Sequence, residues 1–325
     1  MSAAHKVNLD RETRASPSQW EPPKPVAITA AALRLKTFKP VRWVVPDIIP
    51  EGLTILAGKP KGGKSWLMLS TALAVGRGGM TLGKTLSRGT VLYAALEDGE
   101  RRLKSRMEKV AAGGEWPARL EFWTNMERLE NGGLSQLRHW ISSADDPRLV
   151  IIDTFAKVRS PKGRDESPYE ADYRAAGLLK SLADETGVAI ILVHHVRKME
   201  SDDPMDAVSG TAGLTGAVDT ILVLKRTADG VTLFGRGRDI EDLELAVEFE
   251  RDVCRWRVLG EAADVRRSGE RVAILDAMRA EGAPMTPVEV SAVTGRARIA
   301  VRRLITKMAA DGEVKRLERG KYSLC

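Results

Sequence analysis

Residues 53–75 read LTILAGKPKGGKSWLMLSTALAV, and this stretch constrains the fold more than any other. An apolar strand, Leu53 to Ala57, runs into Gly58-Lys59-Pro60-Lys61-Gly62-Gly63-Lys64-Ser65 and then into an apolar helix over 64–75. The pattern G-x-x-x-x-G-K-[ST] between a strand and a helix is that of a phosphate-binding loop. Its glycines let the backbone turn sharply, so that successive N–H groups face a β-phosphate. The following helix points its positive N-terminus at the same anion. Gly58, Lys59, Pro60, Lys61, Gly62, Gly63, Lys64, Ser65 and Trp66 are therefore the candidate nucleotide contacts. Lys64 would reach the β- and γ-phosphates, and the Ser65 hydroxyl would hold Mg²⁺.

Strands and helices alternate after this loop. Thr90–Ala95, Leu120–Trp123, Leu149–Ile152 and Val188–Val193 read as strands; Glu100–Ala112, 134–144 and 169–186 read as helices. Thr220–Leu224, Val231–Phe234 and Leu243–Phe249 are later strands, expected to be antiparallel at the sheet edge. The order predicts an α/β fold, an open and mostly parallel sheet with helices on both faces. Ligands of such sheets lie beyond the carboxyl ends of the strands.

Three strand ends carry polar groups suited to phosphoryl transfer. Val150-Ile151-Ile152-Asp153 ends in a carboxylate that would hold the metal's water shell. Leu96-Glu97-Asp98 follows a buried strand, and an acid there would orient the attacking water. Glu97 is the first candidate and Asp98 the second. Val193-His194-His195 ends the third strand, where a polar group could sense the γ-phosphate. Adjacent strand residues point to opposite faces, and no further His or Cys lies nearby, which disfavours a metal at the pair. Gly235-Arg236-Gly237-Arg238 is either a basic hairpin turn or a source of arginines for a neighbouring subunit's γ-phosphate.

Composition narrows the class. The 325 residues favour two domains, and 43% hydrophobic residues allow a sizeable core. No apolar run approaches the ~18–20 residues that span a bilayer. The first residues, with His5, Lys6, Asp10, Arg11 and Glu12, predict no signal peptide. Two cysteines, Cys254 and Cys325, suit a reducing cytoplasm better than a disulfide framework. The net charge is +7, and residues 262–325, with 13 Lys+Arg against 8 Asp+Glu, hold +5 of it.

The segments GKPKGGKS, YAALEDGERR, LVIIDTF, LVHHVRK and SGTAGLTGAVDTILVLKR occur in this order. Together they resemble the RecA-like ATPase core, and within it the RepA-type hexameric replicative helicases of small plasmids. The resemblance covers about residues 40–255. It implies ATP and Mg²⁺ as cofactors, with Lys64 and Ser65 in the phosphate loop, Glu97 as catalytic glutamate, Asp153 beside Mg²⁺ and His195 as γ-phosphate sensor. It likens Arg238, with Arg236 two residues before it, to the K-x-R finger pair of ring helicases, although the first member here is Arg. It also implies a homo-hexamer whose pore loops, 156–168 and 196–218, hold single-stranded DNA. Lys157, Arg159, Lys162, Arg164, Arg197 and Lys198 are the cations there.

Residues 262–325 go beyond that core. Three helices, 268–282, 287–294 and 296–310, precede a two-strand wing turning at Arg319-Gly320, which resembles a winged helix. Val272, Leu275 and Met278 are expected inward on the first helix, and Ile299, Leu304 and Met308 on the third. Arg298, Arg302, Arg303 and Lys307 would face duplex DNA; protein contact is the alternative. The expected organisation is a mobile arm with a short helix over 1–39, a RecA-like core over 40–260 and the winged-helix-like module over 261–325. The functional expectation is a cytoplasmic ATP-driven DNA motor without membrane contact. A DNA-tethered switch or loader that does not unwind is the alternative.

Overall fold

The computed structural model describes residues 27–161, 163–164, 166–196, 203–205, 208, 212–227 and 230–325. Residues up to Pro40 form one unit and Val41–Cys325 a second. In the first, Thr29 caps a short helix, Ala30–Arg34, by accepting a hydrogen bond from the Ala32 N–H. Every residue of that helix is exposed.

The second unit is built on nine strands: β1 (Gly52–Gly58), β2 (Thr90–Ala95), β3 (Leu120–Trp123), β4 (Pro147–Asp153), β5 (Ala189–His195), β6 (Thr220–Thr227), β7 (Gly230–Gly237), β8 (Leu243–Glu250) and β9 (Arg255–Glu261). Their spatial order is β9-β8-β7-β6-β1-β5-β4-β2-β3. The six strands from β6 to β3 are parallel, and β7, β8 and β9 extend the sheet antiparallel. β1 is buried along its whole length, as an unbroken apolar run in a parallel sheet requires.

The strand beginning at Thr220 is not an antiparallel edge strand. It pairs in parallel with β1, from Thr220↔Thr54 to Leu224↔Gly58. An apolar run of this length does not encode its own direction. The connection from β5, which carries the short helix Ala212–Ala217, makes the crossover a parallel pair needs. β9 is a strand that the hydrophobic pattern did not reveal.

Period-2 alternation divides the core between the two faces. Leu56, Val91, Tyr93 and Ile151 pack with α1 (Lys64–Arg77) and α2 (Glu100–Ala111). Leu53, Ile55, Val150 and Ile190 pack with α3 (Gly133–Ser143) and α4 (Pro168–Thr186). The start of α4 is set by a capping box between Ser167 and Glu170 with Pro168 in the first turn.

The chain passes from β9 directly into α5 (Ala262–Glu281), followed by α6 (Pro287–Thr294), α7 (Arg298–Ala310) and a hairpin of β10 (Val314–Arg316) and β11 (Tyr322–Leu324). Thr286 and Glu289 form a capping box on α6. These elements enclose an apolar cluster of Ile274, Met278, Met285, Val290, Val301, Ile305, Met308, Val314 and Tyr322. Val272 and Ile299, expected inward, are instead 54% and 70% exposed. The buried stripe of α7 runs through Val301, Ile305 and Met308, at i, i+4 and i+7. Met308 is buried and Leu304 packs half-buried against the cluster, as expected, whereas Ile299, two residues before Val301, falls on the exposed face. α5 starts six residues before the expected start at Ser268, because it grows out of β9 and runs through Gly269. No helix among the described residues is long and apolar enough to cross a membrane.

Candidate nucleotide site

Strand register explains why distant residues meet. Ala95, Asp153, Val193 and Leu56 lie in one cross-strand row. Glu97 and His195 each lie two residues beyond that row, and His195 pairs with Gly58, where the phosphate loop begins. The result is a cleft of about 500 Å³ at the carboxyl ends of the parallel strands. Lys61, Gly62, Gly63, Lys64, Ser65 and Trp66 line it, together with Glu97, Asp98, Asp153 and His195. Gly58, Lys59 and Pro60, also expected to touch nucleotide, do not line it. The carbonyls of Gly58 and Lys59 hold Lys64 instead.

Lys64 is buried, with Nζ donating to the Gly58 carbonyl at 2.7 Å and the Lys59 carbonyl at 2.9 Å. Burial pushes its pKa down to about 8, against the opposing pull of Asp153 and Glu97. His195 Nδ1 lies 3.0 Å from the same Nζ. An ammonium can only donate, so Nδ1 accepts and a neutral ring carries its proton on Nε2. Nε2 faces Glu97 Oε2 at 3.7 Å. Thr154 donates to the other Glu97 oxygen at 3.3 Å. Asp98, the second candidate, is engaged by Arg102 and Arg106.

Asp153 is buried, and the Tyr93 hydroxyl donates to its Oδ2 at 2.7 Å. Burial raises its pKa, opposed by hydrogen bonds from Ser65 and Tyr93. The pairing of Ser65 with a desolvated carboxylate at the cleft floor fits a cation bound between them. Among the described residues no group of three or more His, Cys, Asp or Glu is set to hold a metal ion. An ion here would complete its shell with phosphate oxygens and water, as Mg²⁺ commonly does. His194 points elsewhere; burial pushes its pKa down to about 4 and keeps it neutral.

Three contributors escaped sequence reasoning. Arg102 and Arg106 line the cleft from α2, and Arg106 stacks over Trp66 at 5.1 Å. Their i, i+4 spacing just after Glu97 was the available signal. Trp256 of β9 donates from Nε1 to the Gly63 carbonyl at 3.1 Å. Nothing in the local sequence marks it, since 193 residues separate the two.

Arg236 and Arg238 lie away from this cleft. Arg236 sits in the row of Ile221 and Ile55, and the Arg238 N–H bonds to the Asp219 carbonyl beyond the other end of β6. At ~3.3 Å per strand residue, Arg236 is about 10 Å and Arg238 about 16 Å from the loop along the strands. Arg236 pairs with Asp242, and Arg238 lies 3.5 Å from Asp219. Arg159 does not project freely, because it pairs with the fully buried Asp172. Arg164 is exposed. Arg197, Lys198 and Lys162 lie outside the described residues. Arg298, Arg302, Arg303 and Lys307 are all exposed on α7.

A parallel sheet with its phosphate loop after the central strand, extended by antiparallel strands, is RecA-like P-loop architecture. The solved "ATPase Domain of G40P" has the same fold, with TM-score 0.51 and 15% identity over 64% of this chain and 85% of that one. The chain belongs to the AAA domain family, which its residues 19–201 match. It is 32% identical to the Gene 65 protein of Mycobacterium phage D29 over 88 residues, 26% of this chain and 38% of that protein. It is 25% identical to the DNA repair protein RadA of Mycobacterium tuberculosis over 193 residues, 58% of this chain and 35% of RadA. The matches thus span little more than a third of either relative.

Proposed function

We propose that the protein is an ATP-hydrolysing motor on DNA, a ring-forming helicase of RepA type that works as a homo-hexamer. The observation that carries this reading is the convergence of Lys64, Ser65, Glu97, Asp153 and His195 on one cleft at the strand ends. Its volume suits a nucleotide. The DNA half rests on the RepA-like motif order, the description of RadA as a DNA repair protein, and the exposed cations of α7.

In this mechanism the loop amides and Lys64 hold the β- and γ-phosphates. Glu97 takes the proton of the attacking water, and Thr154 fixes the carboxylate's orientation. Mg²⁺ held by Ser65 and Asp153 would neutralise charge that builds on the phosphates. His195 joins Lys64 to Glu97, so its position depends on what Lys64 holds. Arg236 and Arg238 lie too far along the sheet to serve their own cleft, so in a ring they act on a neighbour's. The last three helices and hairpin act as a winged-helix module that grips duplex DNA with Arg298, Arg302, Arg303 and Lys307. Arg164, with Arg197 and Lys198, contributes to single-stranded DNA binding in the pore. Arg159 joins them on leaving Asp172.

A second reading is a DNA-tethered ATPase switch or loader, favoured by the concentration of positive charge on α7 rather than at the sheet. ATP hydrolysis and forked-duplex unwinding, with and without single-stranded DNA, separate the two. The motor reading expects DNA-stimulated hydrolysis with strand displacement, lost in Lys64→Ala. Glu97→Gln should keep nucleotide affinity while hydrolysis falls by about 10²–10⁴. Lys64-dependent hydrolysis without displacement selects the switch. Full turnover by Lys64→Ala defeats both.

A further inference from the structure

We propose that Trp256 is a positioning residue that aims the phosphate loop, and that it ties the loop to the C-terminal helices. The proposal rests on the nucleotide reading of the cleft. Trp256 is buried beneath Gly63. Gly63 caps α1 with φ of 95°, a conformation glycine adopts at little cost. A Cβ built on it would lie 2.5 Å from Cζ2 of the Trp256 ring, so the indole fills the space a side chain would need.

The Trp256 N–H adds a directional constraint. The Gly63 carbonyl already accepts from the Leu67 N–H at 3.0 Å, and Trp256 supplies a second donor at 3.1 Å. In a trans peptide the carbonyl and the following N–H point in opposite directions. Holding the Gly63 carbonyl toward the indole therefore turns the Lys64 N–H away from it. That N–H opens the helix and has no intrahelical acceptor, which leaves it free for an anion.

The indole is also part of a packed path. Its ring meets Phe249 at 5.1 Å, Phe249 meets Trp66 at 6.3 Å, and Arg106 stacks on Trp66 at the cleft wall. Beside it, Arg255 donates to the Val110 carbonyl near the end of α2. β9 is thus fastened to the loop through Trp256 and to α2 through Arg255. It runs without a linker into α5. Ordering of the loop by nucleotide should therefore be felt in the first turns of α5.

The test uses the full chain and ADP or ATP. Trp256→Phe keeps a ring and loses the N–H, while Trp256→Leu loses both. Loss of one hydrogen bond that acts equally on substrate and transition state should raise Kd and KM about five- to tenfold in the Phe variant, with kcat within about twofold. The Leu variant should be weaker still. In the wild type, nucleotide should slow amide exchange over residues 255–268, and in Trp256→Phe it should not. A merely structural tryptophan would leave that exchange response and the KM-against-kcat split unmoved. Nucleotide affinity in Trp256→Phe equal to that of the wild type overturns the proposal even if Trp256→Leu does not fold. A wild type that binds no nucleotide is a different failure, that of the cleft reading itself.

Discussion

At the scale of single residues, burial changes the chemistry of Lys64 at the floor of the cleft. Its side chain is ordinary in sequence, but burial at the cleft floor brings its pKa to about 8. Near pH 8 about half the population is then neutral in the free protein. A polyphosphate in the cleft favours the charged form and draws the proton back. Nucleotide binding at pH 8 should therefore take up about half a proton at this site, and the uptake should vanish in Lys64→Met. Calorimetry in buffers of different ionisation enthalpy measures it, and equal uptake by both proteins would refute the assignment. The same shift sets a stability trend. Between pH 8 and 10.5 the unfolded chain binds more protons at Lys64 than the folded one, so this residue's destabilisation fades as pH rises through that window. Glu97 and Asp98 teach a related lesson. Sequence placed two acids after one strand, and only the arrangement of Arg102 and Arg106 showed which of them was engaged elsewhere.

At the scale of elements, a chemical signal located the start of α6 while periodicity left part of the inward face of α7 undecided. Thr286 and Glu289 mark the start of α6 by a reciprocal pair of hydrogen bonds that any helix start can use. The inward face of α7 has no such local mark, because a short helix with Ile299, Val301, Leu304, Ile305 and Met308 offers more than one apolar stripe. The structure distinguishes them energetically. Ile305→Ala should cost about 2–5 kcal/mol, since it opens a cavity in the cluster with Val290 and Met308. Ile299→Ala, on the exposed side, should stay within about 0.5 kcal/mol. Urea unfolding followed by a probe in residues 262–325 makes the comparison, and a larger loss at Ile299 would reverse the assigned face.

At the scale of the whole molecule, Arg236 near the end of β7 and Arg238 just beyond it test the proposed ring. Asp219 accepts from the Leu53 N–H at 2.9 Å and lies within 3.5 Å of Lys180 and Arg238, so these groups gather at the end of the sheet opposite the loop. If Arg238 completes a neighbour's cleft, Lys64→Ala and Arg238→Ala should each be inactive alone. Mixed, they should recover part of the hydrolysis, because some interfaces then pair an intact loop with an intact arginine. Sedimentation of the mixture checks that a ring-sized species forms. Recovery absent from a species of that size would remove Arg238 from the mechanism.

The sequence by itself determined the phosphate loop, the alternation that makes a mostly parallel sheet, the strand-end positions of Glu97, Asp153 and His195, and the cap of α6. All of these depend on spacing within a few residues, where bond geometry and local hydrogen bonding act. Tertiary structure alone decided the direction of β6, the existence of β9, the contact of Trp256 with Gly63, the support of Asp153 by Tyr93 and the pairing of Arg159 with Asp172. Those depend on which strands become neighbours and in what register. That choice is made by packing apolar faces over distances that no local pattern along the chain records.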